Sequence, residues 1–269
     1  MKSILENWLA EDVGKGDFTS MAVVDNVSCV ARVTGGPGVL SGIKVCKELL
    51  KIVNVNSTTT CKDSSYIGSK TIIFELNGKS HDILRVERLL LNLLCHLSGV
   101  ATFTSKIVKI AKSVNPHVEI LATRKTIPGL RIFEKEAVLH GGGQTHRLRL
   151  DDAILIKDNH LKLFDNVSKA VEKSKSKYPN LMIEVEADNP EQAIEAAEAK
   201  ADRVMLDNFT PELVKRTTER LRKISEIEIE ISGGVNLDNI KDYALHADLI
   251  SLSGLTMGAP PVDFSLHVV

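Results

Sequence analysis

Apolar and polar positions alternate in two different ways along this chain, and the change comes near residue 115. Before it the elements are mixed. Apolar spacing over residues 4–9 predicts a short amphipathic helix, followed by a turn-rich stretch over residues 11–19. Strand-like runs are expected at residues 28–34, 52–61 and 70–76, punctuated by Gly35-Gly36-Pro37-Gly38. Residues 43–50 have helical spacing. Residues 83–114 carry leucines at the same period, interrupted near Gly99, so one long helix or two would fit. This is an α+β front domain.

From residue 117 onward the pattern is regular. Short runs rich in β-branched residues recur at 118–122, 153–156, 181–185, 203–206, 227–231 and 248–252. Helix-period stretches lie between most of them, for example 190–199 and 211–224, each with proline near its first turn. Repeated strand–helix units imply a parallel sheet, because parallel strands need crossover connections. The residues just after these runs are more telling: Thr123-Arg124-Lys125, Lys157-Asp158-Asn159-His160, Glu186, Asp207-Asn208, Ser232-Gly233-Gly234 and Ser253-Gly254. Polar groups thus gather at the carboxyl ends of the strands, where barrels and open α/β sheets bind ligands.

Composition narrows the classes. The 269 residues are 43% hydrophobic and 26% charged, as expected of a folded globular protein rather than a disordered one. A net charge of −1 argues against a general nucleic-acid or anionic-membrane binder, and 4% aromatics leave few platforms for stacking bases. Residues 89–105 carry no charge, but they include Asn92, His96, Ser98, Thr102 and Thr104, which predicts a buried helix with a small-residue face rather than a membrane span. His96 and the serines of this stretch are expected in a core or an interface. Residues 1–10 contain Lys2 and Glu6 and no long apolar stretch, so no targeting segment is read there. Cys29, Cys46, Cys61 and Cys95 form no CxxC pair and suggest reduced, mostly buried thiols, hence a cytoplasmic location.

Charge is concentrated in one place. Six Lys/Arg lie between Arg124 and Arg149, with His140 and His146, against Glu134 and Glu136. Arg131 and Lys135 are expected on a solvated helix face. Arg124, Lys125, His146 and Arg147 instead sit at a strand end and beyond the turn Gly141-Gly142-Gly143, where they would hold a multiply anionic substrate by charge-assisted bonds. Zinc at His140 and His146 is disfavoured, since no Cys or acid stands at ligand spacing. Glu186 and Asp207 suit magnesium together with substrate phosphates, the alternative being ion pairs with Lys157 or Arg203. Ser232-Gly233-Gly234 and Ser253-Gly254-Leu255-Thr256 read as phosphate-binding loops. No Gly-x-Ser-x-Gly elbow supports a nucleophilic Ser232. The residues alone therefore describe an α/β enzyme for a phosphorylated substrate and a second polyanion, with Mg²⁺.

The block Thr123-Arg124-Lys125-Thr126-Ile127-Pro128-Gly129-Leu130-Arg131, with Glu134-Lys135 and Gly141-Gly142-Gly143-Gln144-Thr145-His146-Arg147, resembles quinolinate phosphoribosyltransferase, also called nicotinate-nucleotide pyrophosphorylase (carboxylating). The resemblance includes Leu150, Asp152 and Leu155-Ile156-Lys157-Asp158-Asn159-His160. It reaches back to Glu11-Asp12, Gly16-Asp17, Thr19, Glu87-Arg88, Leu91-Asn92 and Leu97-Ser98-Gly99, and forward to Glu184-Val185-Glu186, Leu206-Asp207-Asn208-Phe209, Ser232-Gly233-Gly234 and Pro260 to Leu266, so that it spans roughly residues 11–266. It implies transfer of phosphoribosyl from 5-phosphoribosyl-1-pyrophosphate to quinolinate with decarboxylation, giving nicotinate mononucleotide, pyrophosphate and CO₂ in NAD biosynthesis. It also implies an N-terminal sandwich-like α+β domain over residues 1–104 and a TIM-like α/β barrel, complete or not, over residues 105–269, whose last residues return to the first domain. A homodimer is implied, with any higher oligomer left open. Arg124, Lys125, His146 and Arg147 would bind quinolinate, with Arg88 reaching across from the other subunit. Lys125, Lys157, Glu186, Asp207, Ser232, Gly233, Gly234, Ser253 and Gly254 would hold the phosphoribosyl donor, Glu186 and Asp207 carrying its Mg²⁺. Ser253 departs from a usual glycine, and Met257-Gly258 from a frequent His-Ser. Related proteins encoded with molybdenum-transport genes usually lack the Lys-Asp-Asn-His run kept here. A non-catalytic scaffold is opposed by the presence of Lys125, Lys157 and Glu186.

Overall fold

A computed structural model describes residues 2–164 and 166–269. In chain order the first elements are α1 (Lys2–Val13), α2 (Phe18–Val23), β1 (Ser28–Gly35), β2 (Gly38–Val39), α3 (Ile43–Ile52), β3 (Asn56–Thr58), β4 (Tyr66–Ile67), β5 (Thr71–Lys79) and α4 (Ser80–Lys112). Next come β6 (Glu119–Ala122), α5 (Arg131–His140), β7 (Gln144–Thr145), β8 (Ile154–Ile156), α6 (Asp158–Phe164), α7 (Val167–Lys177), β9 (Ile183–Ala187), α8 (Pro190–Glu198) and β10 (Arg203–Asp207). The last are α9 (Pro211–Leu221), β11 (Glu228–Ser232), α10 (Ile240–Ala244), β12 (Leu249–Leu252), α11 (Gly254–Met257) and β13 (Phe264–Val268). They form two compact units, one of Met1–Ser105, Glu136–Gly142 and Ala259–Val269, the other of Lys106–Lys135 and Gly143–Gly258.

In the first unit, β13, β1, β5 and β3 make an antiparallel sheet in that order. The expected strand over residues 52–61 shrinks to β3. The apolar stripe of α3, with Ile43, Cys46, Leu49 and Leu50 buried, carries the helix through Ile52, and Asn54 then turns the chain with a left-handed φ of 57°. The turn-rich stretch is also shorter than expected. Helix α1 continues to Val13, and α2 starts at once behind an N-cap in which Asp17 accepts the Ser20 N–H at 3.0 Å.

Helix α4 is a single helix through Gly99. A Cβ at that position would lie 2.4 Å from the Pro260 carbonyl oxygen, so glycine is there for close backbone approach and not to break the helix. Its polar residues face protein: Ser98 Oγ accepts the Ser41 N–H at 3.1 Å and Thr102 Oγ1 accepts the Val39 N–H at 2.8 Å. By length and composition α4 could cross a membrane, yet 56% of its most apolar window is buried inside the fold. It is a core helix with a small-residue face.

The second unit holds seven parallel strands in the order β7-β6-β12-β11-β10-β9-β8. This is a half-barrel with β7 and β8 as its edges. Every residue of β9 and of β12 is buried, as expected for strands covered on both faces. The helices between them begin with side-chain caps, Asn189 accepting from Gln192 N–H in α8 and Thr210 from Leu213 N–H in α9, each followed by proline. All six expected strands are present within two residues of their expected bounds. The seventh, β7, has no counterpart among the expected strands, because two residues carry no readable period.

Candidate active site

The carboxyl ends of these strands enclose a cavity of about 510 Å³, lined by Thr123, Arg124, Lys125, His146, Arg147, Leu155, Lys157, Glu186, Met205, Asp207, Glu230, Ser232 and Ser251. Parallel register sets its layers. Arg203 of β10 lies opposite Glu184 and Glu228; two residues on, Met205 lies opposite Glu186 and Glu230; Asp207 lies opposite Ser232. Because side chains alternate along a strand, these residues point to one side, as the layered interior of a barrel requires.

On one wall stand the cations. Arg124 and Lys125 come after β6, and His146 and Arg147 after β7. The Arg124 Nε is buried with no hydrogen-bond partner among the described residues, a costly state that an entering anion would relieve. Burial, and then the nearby Arg124 charge, lowers the pKa of the Arg147 guanidinium, another sign of unbalanced positive charge. The Lys125 carbonyl accepts the Thr256 hydroxyl at 2.6 Å, which fixes the backbone while the side chain stays exposed. Asp152 shapes the next loop by accepting the Leu148 and Arg149 N–H groups at 2.6 and 3.0 Å.

The opposite wall is mixed in charge. Lys157 Nζ is paired with Glu186, whose side chain is largely buried. Of the two readings of Glu186, the ion pair with Lys157 is thus present here. Asp207 instead accepts from the Asn208 amide at 2.6 Å. Ser232 lines the cavity, and Gly233 and Gly234 after it have φ of +83° and +68°. A Cβ at Gly233 would be 2.2 Å from Asn208 Oδ1, so glycine there answers both the backbone and the space. Gly233, Gly234, Ser253 and Gly254 are not among the lining residues, and Arg88 is an exposed residue of the first unit.

Beneath the cavity lies a buried network that sequence reasoning missed. His146 Nε2 stands 2.9 Å from Glu184 Oε2 and 3.4 Å from Glu230 Oε2, while Arg203 donates to Glu230 at 3.2 Å and to Glu228 at 2.7 Å. Burial alone would lower the pKa of the imidazole. The hydrogen bonds and charges of Glu184 and Glu230 outweigh it and raise the ring to about 9. One contact works against this: the Arg147 N–H donates to Nδ1 at 2.8 Å and needs a lone pair there. Two adjacent carboxylates outweigh one amide bond. His146, Glu184 and Glu230 bring one ligand atom each within 4.8 Å of one another, but Arg203 already supplies the cation in that space, so the trio does not suit a metal ion. The other histidine weighed for zinc, His140, bonds Ser41 at 2.8 Å in the first unit. Acids at alternate positions in β9 and β11, Glu184-Val185-Glu186 and Glu228-Ile229-Glu230, were the available signal.

Lys135 and Arg131 correct the expectation of a solvated basic face. Lys135 is 2% exposed, and its ammonium donates to the Ala122 and His146 carbonyls at 2.5 and 3.2 Å. Half-buried Arg131 donates to Thr126 Oγ1 and to the Leu148 carbonyl, both at 3.1 Å. Backbone carbonyls at and just beyond two strand ends accept these cations, the Ala122 oxygen in addition to an N–H.

Residues 17–98 match the quinolinate phosphoribosyl transferase N-terminal domain, and residues 100–267 match the C-terminal domain of the same family. A probable nicotinate-nucleotide pyrophosphorylase [carboxylating] of Archaeoglobus fulgidus is 42% identical over 258 residues, covering 94% of this chain and 98% of that protein. The nicotinate-nucleotide pyrophosphorylase [carboxylating] of Rattus norvegicus is 35% identical over 272 residues, covering 100% and 91%. The solved structure of the nicotinate-nucleotide pyrophosphorylase from Francisella tularensis superposes with a TM-score of 0.93 at 34% identity, covering 100% of this chain and 97% of that one. With both domains matched in order and relatives aligned over nearly the whole length, the chain belongs to the quinolinate phosphoribosyltransferase family.

Proposed function

We propose that this chain transfers the phosphoribosyl group of 5-phosphoribosyl-1-pyrophosphate to the ring nitrogen of quinolinate, releasing pyrophosphate and then CO₂ to leave nicotinate mononucleotide, a step of NAD biosynthesis. The observation that carries the residue assignment is the cavity itself. Arg124, Lys125, His146 and Arg147 at two strand ends face Lys157, Glu186 and Asp207 at three others, and a buried Arg124 Nε lacks a partner among the described residues. Quinolinate brings two carboxylates to the cationic wall. Lys157 neutralises the departing pyrophosphate, and Glu186 and Asp207 steady the positive charge that grows on the sugar. Once the pyridine nitrogen is bonded to the sugar, the bond from C2 to the 2-carboxylate breaks and CO₂ departs. The electron pair stays on C2, stabilised by the adjacent ring cation, and a proton from water then takes that position. The protein's part in that step is to position and desolvate the group.

Glu186 and Asp207 also fit magnesium, since both are hard oxygen donors facing one cavity with room for ligand phosphates and waters. When bound, Mg²⁺ supplies positive charge to the pyrophosphate oxygens. The Ser232–Gly234 and Ser253–Gly254 segments are assigned to the 5′-phosphate. The working unit is a homodimer in the cytoplasm, with Arg88 of each subunit completing its neighbour's quinolinate pocket.

Formation of nicotinate mononucleotide from quinolinate or nicotinate, with and without Mg²⁺, tests this reading. Quinolinate should be strongly preferred, because nicotinate leaves buried cations unpaired. Comparable kcat/KM for the two acids would refute the acceptor assignment, and undiminished turnover without divalent metal would refute the magnesium site.

A further inference from the structure

The first turns of α5 carry Arg131 and Lys135 four residues apart on one helix face, a spacing at which like charges repel. Each is bonded to both segments that bear the cationic wall. Lys135 bridges the Ala122 carbonyl, at the end of β6, and the His146 carbonyl, just after β7. Arg131 bridges Thr126 Oγ1 and the Arg124 carbonyl (3.5 Å) on one side and the Leu148 carbonyl on the other. Between them in the turn, fully buried Glu134 accepts the Ile127 N–H at 3.1 Å. Three charged side chains of one helical turn thus each bond the backbone of these loops. A solvated helix face would leave those carbonyls to water.

We propose that Arg131 and Lys135 are positioning residues that set the spacing of Arg124 and Lys125 relative to His146 and Arg147, and so determine how tightly quinolinate is held. The inference rests on the acceptor assignment above. Lys135 is the centre of the device, since Ala122 O also accepts the His146 N–H at 3.2 Å, so one carbonyl joins ammonium, strand end and the start of the second loop. Burial, together with the charges of Arg131 and Arg124, lowers Lys135 to about 8 against the opposing pull of Asp152 and Glu230, while the two carbonyl dipoles hold the ammonium in place.

The test compares wild type, Lys135→Met, Arg131→Met and Arg131→Lys by steady-state kinetics with each substrate varied, alongside thermal unfolding. Displacing loop-borne groups by about 1 Å can cost on the order of 100-fold. For Lys135→Met, a rise of roughly 10- to 100-fold in the KM for quinolinate is expected, with the KM for 5-phosphoribosyl-1-pyrophosphate changed less than about 2-fold, and a reduced preference for quinolinate over nicotinate. Arg131→Met should act in the same direction, and Arg131→Lys should recover part of the loss. Should Lys135→Met fail to fold, the Arg131 pair decides alone. Unmoved quinolinate KM in folded variants would overturn the proposal, as would both KM values rising in step with a falling unfolding temperature. Failure of the acceptor assignment looks different: the wild-type chain itself then forms no nicotinate mononucleotide.

Discussion

Lys157 and His146 show how little a residue's identity says before its neighbours are known. Lys157 already has a partner in Glu186, so the pair must open or share when an anion arrives. Lys157→Met keeps the length of the side chain and removes the charge. If Lys157 serves the leaving group, kcat should fall by about 10²–10³-fold because transition-state charge is lost, while circular dichroism stays native, since losing the ion pair of a partly exposed lysine does not unfold the chain. A variant with near wild-type kcat would reduce Lys157 to a counter-ion for Glu186. His146 makes a thermodynamic prediction. Its pKa is raised from 6.5 to about 9 in the folded chain, so the folded state binds the proton more tightly than the unfolded one. The stability this adds is complete below about pH 6.5 and is lost as pH rises through about 9. The unfolding-temperature advantage of wild type over His146→Gln should therefore shrink across that window. A constant difference would mean that the Arg147 N–H, not the two glutamates, decides the ring's protonation.

At the scale of elements, strands are legible where a run is long enough to show a period and ends on polar residues, as at Leu206-Asp207-Asn208. Two-residue β7 is not, and neither is the burial of Lys135. A helical period shows where a charge lies on the helix, but not whether carbonyls from distant strand ends await it. Glu184 and Glu230 are visible as acids in apolar runs, but their shared partner His146 is 38 residues from the first of them. Gly99 is ambiguous for a related reason. Glycine inside a helix pattern suggests a break, while the structure uses it to admit the backbone of Pro260 and Pro261. Gly99→Ala should consequently destabilise despite alanine's better helix propensity, by about 1–3 kcal/mol from overpacking against backbone that cannot rotate away. Thermal unfolding should show a drop of several degrees. A stabilised Gly99→Ala protein would return the residue to a mere helix weakness.

In the whole molecule the cations assigned to quinolinate are divided between the two units. Arg88 is an exposed cation on α4 in the first, and the cationic wall belongs to the second. In a two-fold dimer the same patch is used on both subunits, so a residue lent to one neighbour is received from it as well. If Arg88 is lent in this way, Arg88→Ala and Lys125→Ala should each be nearly inactive when made alone. Co-expressed, they form mixed dimers in which the two defects segregate. The barrel carrying Lys125→Ala receives Ala at position 88 and loses both cations, while the other barrel keeps its own Lys125 and receives an intact Arg88. With random pairing about half the dimers are mixed and one site in each is whole, so about one quarter of wild-type activity should return. The measurement is the specific activity of the unfractionated co-expressed protein, and mixed dimers isolated through two different tags should reach about one half. Mixed dimers no more active than the separate variants would mean that Arg88 serves its own chain or none.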